Sequence, residues 1–365
     1  QHEIEKLTEQ SALVIEGSWP KRKPQWEAET FFKIVSYHMA INDRERIADY
    51  GPDLILLDES QKIKNRETVT AQAIKSLQSP YGILLTGTPL ENRLEELHSL
   101  VEFIDPHHLG PLFRFLHTYQ ITNETGKVMG YQNLHQIKEL LKPVMIRRTK
   151  KEVLSQLPER TDRTLFVPVT EEQWEVHQEY YEIVCRLVNK WRSRKFLTEK
   201  ERQRLMIALS CMRMVSDSTY ILDQKTRHDT KIDELFSFLG NTLDQKKEKV
   251  VIFSQWERMT RLVAKEIEAR KISYVNLHGG IPSPKRKAII EKFRDDHDCR
   301  VFLSTDAGGI GLNLQAGSIV INLDMPWNPA VLEQRIARVH RLGQKKPVLV
   351  VNFIAKGTIE ERILH

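Results

Sequence analysis

Between Val250 and Phe353, short apolar, β-branched runs alternate with helix-like stretches, and few folds accommodate that alternation. The runs Val250-Val251-Ile252-Phe253, Val301-Phe302-Leu303, Ile319-Val320-Ile321 and Val348-Leu349-Val350-Val351 read as strands. One more strand falls before a Pro/Lys turn that opens a helix at Pro282 to Phe293. Uninterrupted apolar strands need cover on both faces, so the segment predicts a parallel sheet with helices on either side. Fewer strands precede it: Leu54-Ile55-Leu56-Leu57, Ile83-Leu84-Leu85, and an earlier one within Thr30 to Ser36. That first part reads as half a sheet. Leu165-Phe166-Val167 forms a strand between the two regions, and long helical stretches are expected at about 91–160 and 170–245. The expectation is an α/β chain of two domains, since 365 residues exceed one ordinary core.

Composition removes several function classes. No apolar run approaches the ~20 residues that span a bilayer, and the charged segment Gln1 to Lys6 lacks the apolar core of a secretory signal, so membrane and export readings drop out. Cys185, Cys211 and Cys299 are widely spaced, which suggests neither a disulfide framework nor a zinc site and fits a reducing intracellular compartment. Cys211 reads as a core thiol. The formal net charge of +6 leans towards polyanionic partners. Its distribution is uneven, because Arg186 to Arg204 holds eight basic side chains against Glu199 and Glu201. That stretch is either a solvated helix face or a phosphate-facing surface.

Four segments carry candidate chemistry. In Asp53 to Gln61 an apolar strand delivers Asp58 and Glu59 at its C-terminal end, where parallel sheets place ligands. An Asp there can hold Mg²⁺ on a nucleotide's phosphates, and the neighbouring Glu can orient or deprotonate water; a strand ending in a charged turn is the plainer alternative. Thr86-Gly87-Thr88-Pro89 lies 28 residues beyond Asp58, again after a buried strand; its two hydroxyls are expected to link the acidic site to the other lobe through hydrogen bonds, and alone the segment reads as an ordinary turn. Ser304 to Leu314 places three glycines, Gly308, Gly309 and Gly311, in four positions, letting backbone approach a phosphate or ribose. Finally, Gln334 to Gln344 holds Arg338 and Arg341 three apart, expected on one face of a helix starting near Pro329. Alone, such an Arg-x-x-Arg reads as a basic surface helix.

Taken together and in this order, the four resemble the Swi/Snf-type ATPases of helicase superfamily two, which are double-stranded-DNA translocases. Asp58-Glu59-Ser60-Gln61 matches that family's motif II, Leu85 to Asn92 motif III, and Val251-Ile252-Phe253-Ser254-Gln255 motif IV. The Gly-rich segment matches motif V, and Trp327-Asn328-Pro329-Ala330 leading into Gln334 to Gln344 matches motif VI. Ile146 to Val153 and Lys231-Ile232-Asp233-Glu234-Leu235 are further echoes.

The resemblance implies two RecA-like lobes with helical protrusions. Residues 1–160 would form a partial first lobe with a protrusion at about 91–160, and residues 161–365 a second lobe with a protrusion at about 170–228. It implies ATP and Mg²⁺ as cofactors, with Asp58 on the metal, Glu59 activating water, Gln61 a further catalytic residue, Gln334, Arg338 and Arg341 completing the site, and Gly309 and Gly311 against the nucleotide. Double-stranded DNA is the implied partner, together with DNA-bound protein complexes, and the implied contacts are Ser254, Gln255, Ser304, Gly308, Trp327, Arg147, Lys150 and Lys151. The setting would be cytoplasm or nucleoid in a bacterium and the nucleus in a eukaryote. One element is missing: the 365 residues contain no G-x-x-x-x-G-K-[ST] phosphate loop. The chain is therefore expected to be a fragment, inactive alone. A non-catalytic DNA- or protein-binding module and an RNA-directed helicase are the alternatives.

Overall fold

The structure is a computed structural model that describes residues 1–87, 93–124, 126, 128–148, 157–245, 248–309 and 312–364. The chain divides into two compact units, Gln1–Arg147 and Arg148–His365.

In the first unit, helix α1 (His2–Thr8) leads into β1 (Ala12–Val14), α2 (Trp19–Glu27), β2 (Phe32–Ile34), α3 (Tyr37–Asn42) and α4 (Arg44–Tyr50). Then come β3 (Leu54–Leu57), α5 (Val69–Lys75) and β4 (Tyr81–Leu84), with β1 pairing β2 and β3 pairing β4, both in parallel. One face of β3 and β4 closes on a core that includes Trp26, Ile47, Leu57, Ile63, Ile74 and Leu100. Leu54, Leu56, Tyr81 and Ile83 on these strands are exposed. Helices α6 (Leu94–Ile104), α7 (Leu112–Tyr119) and α8 (Leu134–Leu141) build a satellite core around Leu97, Phe115 and Ile137. The stretch 91–160 is not wholly helical as expected: β5 (Gln120–Thr122) and β6 (Val128–Tyr131) form an antiparallel hairpin inside it.

The second unit opens with β7 (Arg160–Val167), then α9 (Glu171–Arg194), α10 (Glu199–Asp217), α11 (Tyr220–Asp223) and α12 (Lys231–Gln245). The alternating part follows as β8 (Val250–Ser254), α13 (Glu257–Ala269), β9 (Tyr274–Leu277), α14 (Ser283–Asp295), β10 (Val301–Thr305) and α15 (Asp306–Gly309). It ends with β11 (Ile319–Asn322), α16 (Pro329–Ile336), β12 (Val348–Ala355) and α17 (Ile359–Leu364). Six strands make one parallel sheet in the order β7-β12-β11-β8-β10-β9, as the apolar runs require. Alternate side chains divide between two cores. Val250, Ile252, Val301, Leu303 and Ile321 meet Leu235, Leu239, Met259 and Val263 on one face. Val251, Phe253, Phe302 and Val320 meet Phe293 and Ile336 on the other. Each such side chain, fully buried, stabilises the unit by about 1.5–3 kcal/mol.

Helices α9 and α10 form a hairpin opened on each side by a reciprocal cap, Thr170 with Gln173 and Thr198 with Glu201. The hairpin is anchored at its base, where the buried Gln173 Nε2 donates to Val215 O at 2.7 Å. There too His177 stacks on Trp174, and its Nε2 accepts from Ile359 N at 3.2 Å. That bond requires a neutral ring. Burial first, and the Arg362 charge second, pull the His177 pKa from 6.5 down to about 4. Because the folded value is depressed, the unfolded chain binds the proton more readily between the two values, so stability is full above about 6.5 and falls as pH drops towards 4. The His177 contribution at pH 5 should be about 2 kcal/mol below that at pH 7, so denaturant unfolding of His177→Gln should lose less stability over this interval than the parent chain does, by about that amount. An equally steep loss in the variant would remove His177 as its source.

Candidate functional site

Strand β3 ends at Leu57, and the backbone bonds Leu85 N to Leu57 O (2.8 Å) and Ser60 N to Leu85 O (3.0 Å) carry its pairing with the neighbouring strand past that end. Asp58 emerges there exposed. Glu59 follows in the left-handed region at φ 50°, which an L-residue adopts at a cost of roughly 1–2 kcal/mol. The turn is held by Glu59 N donating to Asp58 Oδ1 at 2.9 Å and Tyr37 OH donating to Asp58 O at 2.9 Å. Burial, then the charges of Asp58 and Glu59, push the Tyr37 phenol up to about 12, so it remains a donor. Gln61 Nε2 donates to Glu59 Oε2, and Thr86 Oγ1 donates to Gln61 Oε1 at 3.2 Å. A chain of hydrogen bonds thus fixes the Glu59 carboxylate, with Asp58 open beside it. Thr88 lies outside the described residues.

In the second unit the Gly-rich segment and the 334–344 segment are brought together. Leu314 N donates to Arg338 O at 2.9 Å, and Gln315 Nε2 to Arg341 O at 3.2 Å. The buried Gln344 amide donates to the carbonyls of Gln315 (3.1 Å), Gly317 (2.9 Å) and Val339 (3.2 Å). One expectation is corrected here: α16 stops at Ile336, so Arg338 and Arg341 lie in the following turns and share no helix face. Gln334 is exposed on α16, and both arginines are half-buried. Its neighbour Arg335, which nothing in the sequence singles out, is buried and bidentate to Asp306 (2.5 and 2.9 Å), with a third bond to Asp324 Oδ1 at 2.9 Å. Burial opposes the Arg335 charge, but Asp324 and Asp306 outweigh it and raise its pKa. Asp324 is also held below the carboxylate range, since Arg335 and the Ser254 hydroxyl overcome its burial. Gly309 ends α15; Gly311 lies outside the described residues.

The expected DNA contacts separate into two groups. Ser254 and Ser304 are fully buried rather than surface-facing, their hydroxyls engaged with Trp256 N (3.1 Å) and Thr305 O (3.0 Å). Gly308 is also buried, and packing explains its lack of a side chain: a Cβ would stand 2.3 Å from Leu277 O. Gln255 and Trp327 do face solvent. Both are held by Arg213, a side chain only 2% exposed, whose Nη2 donates to Gln255 Oε1 (2.7 Å) and Met325 O (2.8 Å). Its guanidinium lies 5.6 Å from the ring centroids of both Trp256 and Trp327. In the first unit Arg147 is exposed, and Lys150 and Lys151 lie outside the described residues.

Behind this edge Lys231 is fully buried, donating to Asp217 Oδ1 and Glu360 Oε2 at 2.6 Å each and to Leu323 O at 2.7 Å. It joins α10, α12, α17 and the residue that follows β11. Cys211 is half-buried rather than a core thiol. No helix among the described residues is long and apolar enough to cross a membrane.

A family model described as the SNF2-related domain matches residues 1–228, and one described as the helicase conserved C-terminal domain matches residues 230–343. The chain is 32% identical over 342 residues to the putative ATP-dependent helicase/translocase YwqA of Bacillus subtilis (strain 168), covering 90% of this chain and 36% of that protein. It is 30% identical over 346 residues to the SWI/SNF-related matrix-associated actin-dependent regulator of chromatin subfamily A member 1 of Homo sapiens, covering 91% and 32%. Thus it spans about a third of the length of these relatives. A solved Sulfolobus solfataricus SWI2/SNF2 ATPase core in complex with dsDNA is 27% identical, with a TM-score of 0.48 over 99% of this chain and 75% of that one.

Proposed function

Because the chain belongs to the SNF2-related family, we propose that it carries motor elements of an ATP-dependent translocase on double-stranded DNA that remodels protein–DNA complexes. The observation that carries this reading is the Thr86–Gln61–Glu59 hydrogen-bond chain beside the exposed Asp58, at the C-terminal end of a parallel strand. The Asp58 carboxylate is a hard oxygen donor of the kind Mg²⁺ takes, so the donor set fits the metal. Bound there, Mg²⁺ would neutralise phosphate charge. Glu59, fixed by Gln61, would orient the attacking water and accept its proton. Gln334, Arg338 and Arg341 are proposed to meet the charge that develops on the phosphate. Gly309 and Gly311 are proposed to approach the nucleotide. Gln255 and Trp327, with Arg147, Lys150 and Lys151, are the proposed DNA contacts, directed at phosphate and sugar and so indifferent to sequence.

None of the 365 residues supplies a phosphate loop. The chain alone should therefore hydrolyse ATP no faster than its Glu59→Gln variant, with or without duplex DNA, because a metal ligand without a phosphate cradle does not position the γ-phosphate. DNA-dependent turnover by the purified chain, lost in Glu59→Gln, would show that these residues suffice for catalysis.

A further inference from the structure

The α9–α10 hairpin ends in a basic, aromatic tip that the site above does not use. From Arg186 to Arg204 there are eight basic side chains and two acidic ones, an excess of six. That equals the formal net charge of the whole chain, so outside these nineteen residues the charges balance. Helix design accounts for part of the cluster: Arg192 and Arg194 sit in the last turn of α9, where cations favour the dipole. Lys190 pairs with Glu201 across the hairpin, and Arg202 with Glu199 at 4.0 Å. Ion pairing stops there. Arg186, Arg192, Arg194, Lys200 and Arg204 are exposed and form no ion pair among the described residues. Lys195, in the left-handed region at φ 54°, reverses the chain and places its ammonium 5.3 Å from the centroid of Trp191. Trp191 and Phe196 are 48% and 59% exposed.

Position matters as much as charge. Burial is concentrated at the other end of the hairpin, where Gln173, His177, Met212, Val215 and Asp217 anchor it. Some twenty residues of helix, about 30 Å at 1.5 Å per residue, separate that base from the tip. The structure therefore presents its whole excess of positive charge on a braced arm.

We propose that the tip of this hairpin is a second duplex-DNA contact, separate from the Gln255–Trp327 edge and gripping the phosphate backbone. The proposal rests on the reading of the chain as a DNA translocase. Unpaired cations on two successive helices complement a polyanion whose charges recur along its length. A duplex is favoured over single strands because Lys195 already covers Trp191, which leaves it poorly placed as a stacking platform for bases. Trp191 instead supports the Lys195 ammonium.

Binding of the 365-residue chain to a short labelled duplex, measured across a range of salt, tests this. Arg192→Gln, Arg194→Gln, Lys195→Gln and Lys200→Gln combined should weaken binding at least about tenfold at physiological salt. They should also make the slope of log affinity against log salt shallower by about 0.9 for each phosphate that is no longer neutralised. Replacing both arginines with Lys should preserve the slope, and thermal unfolding of the fourfold variant should fall only slightly, since all four side chains are exposed and only the helix-end and Trp191 contacts are lost. Trp327→Ala is measured in parallel as the probe of the other edge. An unchanged slope in the fourfold variant alongside weaker binding by Trp327→Ala would overturn the tip contact and leave the translocase reading intact. No duplex binding by any of the proteins would overturn both. Single strands bound more tightly than duplex and released in Trp191→Ala, or a polyglutamate peptide displaced by the fourfold change, would replace duplex DNA as the occupant.

Discussion

Lys231→Met is expected to lower the unfolding free energy of the chain by about 3–5 kcal/mol, a large part of the roughly 5–15 kcal/mol that holds a domain together. Lys231, Asp217 and Glu360 are all withdrawn from water, and the ammonium supplies one hydrogen bond to each carboxylate and one to Leu323 O. Burial opposes the ammonium, but Asp217 and Glu360 outweigh it and raise its pKa. Burial also drives the Asp217 carboxyl well above its ordinary range, with Lys231 pulling it back and the Glu360 and Asp324 charges pushing it further. Methionine fills the same volume but leaves Glu360 as an uncompensated buried charge, which is the expensive half of a broken pair. Adding Asp217→Asn and Glu360→Gln removes that charge, so the triple variant should recover most of the loss. Denaturant unfolding followed by tryptophan fluorescence reads all of these. A loss below about 1 kcal/mol for Lys231→Met would mean that the network contributes little beyond what packing supplies.

The central strands are legible because burial on both faces writes itself as uninterrupted apolar runs, as in Val250 to Phe253 and Val301 to Leu303. Strand β7 is legible only at its end. It lies at an edge of the sheet, paired on one side, and tolerates Asp162 and Arg163 on exposed positions and a half-buried Arg160 paired with Glu333. Its first residues therefore carry no apolar signal, although Arg160 pairs in register with Val348. The hairpin of β5 and β6 is short and exposed and lacks a tight-turn dipeptide, so Gln120 to Tyr131 carries only the weak signal of a five-residue connection containing Gly126. Strand β1, three residues long, is silent.

At the site, the adjacency of Asp58 and Glu59 after an apolar strand can be read directly, whereas the role of charged side chains that turn inward cannot. Arg213, Lys231 and Arg335 look like surface residues in one dimension. They are buried because Gln255, Asp217 with Glu360, and Asp306 with Asp324 arrive from distant parts of the chain. The helix expected through Arg338 and Arg341 fails for a related reason. Neither Pro nor Gly marks an end at Ile336; beyond it the Arg338 and Val339 carbonyls accept from Leu314 N and Gln344 Nε2 instead of from a further helical turn. A pattern of spacing does not contain those partners. The serines and glycine expected on DNA mislead similarly, since small residues at strand ends serve close packing as well as ligands.

In a longer protein that joins these residues to a phosphate loop, Glu59→Gln is expected to reduce DNA-stimulated ATP turnover by about 10²–10⁴-fold, the usual contribution of a positioned general base. Glutamine keeps the size of the side chain and its capacity to bond Gln61, so the turn at Asp58 should survive. What it removes is the site for the proton of the attacking water. Nucleotide binding should change little, because the metal contact is assigned to Asp58 and not to Glu59. Thr86→Val tests the same chain one step back: it deletes the donor to Gln61 Oε1 and leaves the amide free to rotate away from Glu59. Since the carboxylate itself remains, this variant should lose less, roughly tenfold, through misorientation rather than loss of the base. The ordering of the two variants is the discriminating result. Equal losses would make Glu59 a structural member of the turn, and a collapse of ATP affinity in Glu59→Gln would transfer it to the metal. Turnover that survives Glu59→Gln would place the base elsewhere and leave the left-handed turn at Glu59 without a catalytic reason.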